Sequence, residues 1–78
     1  MGSGKMRNYV VSKFEYSKKY VFSYFLYELT TKSHSNQYSK LTGKEVNIIS
    51  PFVGYIDYKN KYYYVTPSMC FEVKSEES

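Results

Sequence analysis

Tryptophan and alanine are missing from this 78-residue chain, and cysteine, histidine, aspartate and arginine occur once each, as Cys70, His34, Asp57 and Arg7. Each scarcity closes off a class of chemistry. A lone cysteine forbids an intramolecular disulfide framework and fits a reducing compartment. A cysteine nucleophile needs an imidazole base beside it, and the chain offers only Cys70 in a β-prone stretch and His34 in a polar one. The plainer reading is a small buried thiol and a solvated ring. Two soft ligands without neighbours make no zinc site, so no metal ligand is nominated. Acidic residues number seven, two of them in the last three positions, which leaves little for a carboxylate pair or a Mg²⁺ site. Of four glycines, Gly2 and Gly4 stand in the first five residues, and no phosphate loop can be assembled from the rest. The chain reads as non-enzymatic, with no catalytic residue and no cofactor.

Long apolar runs are also absent. The most apolar stretch, Tyr20 to Leu29, is too short to cross a bilayer and contains Glu28. No secretory signal is visible, and Met6 stands where an N-myristoylation pattern wants Ser or Thr. A cytoplasmic protein with no membrane partner is expected. Met-Gly-Ser-Gly-Lys resembles a cloning scar at residues 1–5, residues 75–78 read as a disordered tail, and residues 6–74 make one small domain.

What the chain has in abundance is tyrosine, eleven residues, set among ten lysines and five phenylalanines. With so little aliphatic material, several tyrosines have to enter the core, because large rings supply most of the area a small fold can bury. The net charge of +4 is spread along the chain and permits attraction to nucleic acid or acidic protein without demanding either. Abundant Lys, Asn, Tyr, Ile and Phe point to A/T-rich codons, as in a phage or mobile element.

Along the chain, residues 6–11 are β-prone. Ser12-Lys-Phe-Glu15 matches a capping box, from which a helix would run towards Leu29. At 100° per residue Phe14, Val21, Phe22, Phe25, Leu26 and Leu29 would form its apolar stripe, and Tyr16, Tyr20, Tyr24 and Tyr27 a second face. Mediocre helix propensity opposes this, and Ser17-Lys-Lys19 as a turn between strands is the alternative. Residues 30–44 have loop composition and are long for so small a domain, hence mobile or functional.

After Gly43 the pattern turns to strands. Glu45 to Ile49 ends at Ser50-Pro51, and Met69 to Lys74 alternates as a half-buried strand. Phe52 to Tyr58 and Lys61 to Thr66 make a hairpin around Asn60. A two-residue loop would put Ile56, Tyr58, Tyr63 and Val65 on the core face, and Tyr55, Asp57, Tyr62, Tyr64 and Thr66 on the other, next to Lys59. The fold expected is α+β, one helix packed on a small, mainly antiparallel sheet, with an all-β meander or small barrel as the alternative.

Two binding surfaces follow. The hairpin offers Tyr55, Lys59, Lys61, Tyr62 and Tyr64, a mixture of rings and ammonium groups suited to stacking bases and neutralising phosphates. The helix would offer Tyr16, Tyr20, Tyr24 and Tyr27, since tyrosine is enriched at protein interfaces. Tyrosines finishing a core, and Tyr and Lys supplied merely by codon bias, are the bland counterparts. The expectation is a phage or mobile-element protein that binds and inhibits a host protein, a defence or nucleic-acid-processing factor. The alternative is a basic RNA or single-stranded DNA binder using the hairpin. A single arginine favours the first, and the composition fixes no oligomeric state.

Overall fold

Lys59 and Asn60 both take left-handed φ, 52° and 64°, the backbone that a two-residue type I′ hairpin requires. In the computed structural model, which describes residues 11–73, this turn joins β3 (Val53–Tyr58) to β4 (Lys61–Val65), with Tyr58 opposite Lys61, Ile56 opposite Tyr63 and Gly54 opposite Val65. The register gives the two faces expected from the sequence. Ile56 and Val65 are buried, and Tyr63 on the same side is half-buried. Strand β2 (Asn47–Ser50) adds to the other side of β3 through a bulge at Ile49, making a three-stranded antiparallel sheet in the order β2-β3-β4.

The N-terminal half departs from the long helix. Glu15 to Lys18 is a turn, closed by Lys18 N–H donating to Glu15 C=O at 3.0 Å. Strand β1 (Lys19–Phe22) follows, and the helix α1 covers only Tyr24–Thr31. Its cap is Ser23, whose hydroxyl accepts from Leu26 N–H at 3.3 Å, and Lys32 ends it in the left-handed conformation. Ser12 caps nothing. The apolar stripe is therefore divided: Phe14 and Phe22 are buried from outside the helix, while Phe25 and Leu29 are 67% and 56% exposed. Tertiary pairing overrides the periodicity, because β1 is stitched to β5 (Cys70–Val73), with Phe22 opposite Cys70 and Tyr20 opposite Glu72. That register turns Cys70 into the core and leaves Val73 exposed.

The segment ahead of β2 unites the two sheets. Phe22 N–H donates to Lys44 C=O at 3.1 Å and Val46 N–H to Tyr20 C=O at 3.0 Å, so residues 43–46 pair with β1 before the chain bends into β2. Gly43, at φ 85°, supplies the left-handed residue that starts this run. The supposed loop at 30–44 is tied down in the same region. A 3₁₀ turn spans Tyr38–Leu41, and Leu41 is fully buried. Among the described residues the architecture is α+β, one helix with two small antiparallel sheets and no closed barrel.

The core joins Phe14, Tyr20, Phe22, Leu41, Val46, Ile56, Val65 and Cys70. Phe14 reaches it across Gly54, where an added Cβ would stand 2.5 Å from Val46 Cγ1, 2.9 Å from Asn47 O and 3.3 Å from the Phe14 ring. Glycine at 54 is thus what lets the aromatic lie down on the sheet. The β-prone residues 6–10, the leader and the tail lie outside the described residues.

Candidate functional site

Tyrosines that share an element in the sequence reading are separated in space. Tyr20 is buried in the core with its hydroxyl accepting from Glu15 N–H at 3.0 Å. Tyr16 is 70% exposed and donates to Ile49 C=O at 3.1 Å. Tyr24 and Tyr27 turn inwards, stacked at 5.5 Å, and Tyr27 stacks in turn on Tyr38 at 4.8 Å. Tyr38 meets the edge of Tyr63 at 5.5 Å. The four residues Tyr16, Tyr20, Tyr24 and Tyr27 therefore form no common face, and Tyr24 and Tyr27 complete the core. Tyr38, which composition assigned to a loop, is the centre of this aromatic stack. Burial, with the Tyr27 and Tyr63 hydroxyls close by, raises its phenol above the ordinary range.

The hairpin residues do come together, although on two sides. Tyr55, Tyr62 and Tyr64 share the outer face of the β2-β3-β4 sheet. Tyr62 and Tyr64 are each 58% exposed, and the rings of Tyr55 and Tyr62 lean together at 4.9 Å and 49°. Asp57, directly opposite Tyr62, is the charged neighbour there. Exposed apolar side chains continue towards the far end of the sheet in Ile49 and Phe52.

Lys61 belongs to the inner face, and its Nζ stands 5.4 Å from the Tyr63 ring centroid. Lys59 sits at the turn, its Nζ 5.3 Å from the Tyr58 centroid, and Lys44 approaches the same ring at 4.9 Å. The sequence placed Lys59 beside the three outer tyrosines; the structure places its ammonium on Tyr58 instead. Lys44 is a cation the sequence reading missed. Its only local signal is a position that meets Tyr58 when the β2–β3 pairing is continued outwards.

The remaining chemical groups are accounted for locally. Cys70 donates from Sγ to Thr66 C=O at 3.4 Å, and burial pushes its thiol up to about 12. Its thiolate, the reactive form, is thereby suppressed. His34 Nδ1 lies 2.7 Å from Glu28 Oε2 at the exposed end of α1. Lys18 bridges Glu15 at 3.4 Å and Glu72 at 3.9 Å, and these carboxylates raise its pKa. Among the described residues no group of three or more His, Cys, Asp or Glu could hold a metal ion, and no helix is long and apolar enough to cross a membrane. No family model matches the chain, and neither the curated proteins nor the solved structures contain a match to it.

Proposed function

We propose that this chain is a small, non-enzymatic binding protein that engages and inhibits a host protein through the outer face of the β2-β3-β4 sheet. The observation that carries the reading is the cluster of Tyr55, Tyr62 and Tyr64 on one face of the strands, with Tyr55 half-buried and Tyr62 and Tyr64 open to solvent. Rings with few rotatable bonds lose little entropy on binding, and a clustered aromatic patch is what the centre of a protein interface uses. Lys59 and Lys61 stand over the rings of Tyr58 and Tyr63, and Asp57 faces Tyr62 on the outer side, an arrangement that suits a protein surface there better than a polyanion. An amino-acid composition rich in residues with A/T-rich codons supports a phage or mobile-element origin, and with it a target in the host cytoplasm.

Affinity capture from host lysate, with and without nuclease, tests the reading. The same protein should be retained under both conditions by the parent and lost by Tyr62→Ala/Tyr64→Ala, and the purified target should lose activity when the parent chain is added. Retention by the double variant, or capture that disappears with nuclease, would overturn the proposal.

A further inference from the structure

A second surface lies on the opposite side of the same hairpin. Just ahead of β2, Lys44 sets its Nζ over the ring of Tyr58, which is itself opposite Lys61 in the β3–β4 register. The row Lys44, Tyr58, Lys61 thus crosses the sheet end, with Lys59 added from the turn. Lys44 and Lys59 share one ring at 4.9 and 5.3 Å, so their ammonium groups lie within about 10 Å of each other. That is about one Debye length at 0.1 M salt, close enough for their potentials to add.

None of the three is in an ion pair among the described residues; the lysine that is so paired is Lys18, at the other end of the sheet pair. Asp57 points to the other face. Each ammonium instead stands over a tyrosine ring, an attraction that restrains it.

From this geometry we propose that the hairpin end is a phosphate site, which takes the backbone of a nucleic acid. The faces of Tyr58 and Tyr63 are occupied by lysines, and the open rings of Tyr62 and Tyr64 are on the far side, so the contact is with phosphates and not with stacked bases. Binding is therefore insensitive to base sequence and steeply dependent on salt. This site is separate from the tyrosine face and stands or falls independently of it. A protein that engages a nucleic-acid-processing enzyme through one face would use the other to hold the polymer beside it.

The test is fluorescence anisotropy with a labelled oligothymidine about 20 nucleotides long, titrated between about 25 and 200 mM NaCl. The parent should bind at the lowest salt, and Lys44→Gln/Lys59→Gln/Lys61→Gln should make the slope of log K against log salt shallower by about 2, as three single-strand phosphates require. Lys59→Gln/Lys61→Gln, both at exposed positions, should lose about tenfold in affinity at about 25 mM NaCl with an unchanged thermal midpoint, and Tyr62→Ala/Tyr64→Ala should bind like the parent. Absence of binding at the lowest salt, or a triple variant with the parent's affinity and slope, would refute the site. So would an equal loss in the tyrosine variant. Polyglutamate of matched length binding as tightly, with the same lysine dependence, would reassign it to an acidic protein segment.

Discussion

Two sets of tyrosines stand in contrast in this molecule, and they differ in what the hydroxyl does. In the closed set the phenol completes a backbone hydrogen bond that the fold would otherwise leave open: Tyr20 accepts from Glu15 N–H, Tyr24 accepts from Ser35 N–H at 2.7 Å, and Tyr38 donates to Tyr64 C=O at 2.9 Å. In the open set, Tyr55, Tyr62 and Tyr64, no hydroxyl bond to another described residue is formed. One residue type is used first as mortar and then as contact surface. Ring and polar tip have to be read together, since Tyr16 is 70% exposed yet donates to Ile49 C=O, and Tyr27 joins the core through its stacked ring.

The contrast can be broken most decisively at Tyr20. Truncation to Ala should cost about 3–5 kcal/mol, the range for a large aromatic removed from a core, read as a fall in the urea midpoint. A variant as stable as the parent would place Tyr20 outside the closed set. Alkaline pH comes next. Burial holds the folded Cys70 thiol up at about 12 against an ordinary value of 9.0. Below pH 9 its contribution is fully present, and between 9 and 12 it is lost, because only the unfolded thiol ionises there. Cys70→Ala should accordingly flatten the fall of stability with pH in that window, by an amount on the order of 3 kcal/mol at its upper end. The upward shift of Tyr38 acts in the same direction.

Gly54→Ala tests the close approach of Phe14 to the sheet. A cost of about 1–3 kcal/mol is expected from overpacking, since Asn47 O is backbone and cannot rotate away. Removing single hydroxyls is milder. Tyr24→Phe and Tyr38→Phe should each lose about 1 kcal/mol, whereas Tyr62→Phe should lose nothing measurable by the same urea titration. At the small end, Tyr62→Ala and Tyr64→Ala should stay within about 0.5 kcal/mol of the parent while abolishing capture of the partner. If they unfold the chain, the open set is structural as well.

How much of this was legible in the sequence follows the range of the interactions. Asn60 with positive φ fixes the hairpin loop within a few residues, and the facing of Ile56, Tyr62, Tyr63 and Tyr64 follows from parity alone. Residues 12–31 resist the same treatment because β1 exists through partners about fifty positions away, Phe22 with Cys70 and Tyr20 with Glu72. A four-residue strand followed by an eight-residue helix mimics one amphipathic helix when read locally. Ser23 was the true cap, but it lacks the Glu three positions on that made Ser12 conspicuous. Tyr38 and Lys44 were hidden by the polar company they keep between residues 30 and 44. Their importance appears only when the chain folds back on β4 and Tyr58.

The pairing of β1 with β5 also governs the order in which this protein can be assembled during synthesis. Lys19 emerges early and its partner Val73 late, so the edge of β1 that β5 covers stays open after residues 43–46 have become available to pair with the other edge. The local elements, α1 and the β2–β3 and β3–β4 pairs with their short turns, can close as they appear. The β1–β5 sheet then forms in one late step whose loop-closure cost is met by the whole remaining core. Any truncation that removes residues 70–73 deletes the strand on which that closing step depends. The product should be an aromatic-rich β1 held by residues 43–46 on one side and open along the edge that β5 covered, prone to association with other chains and not a shortened working domain.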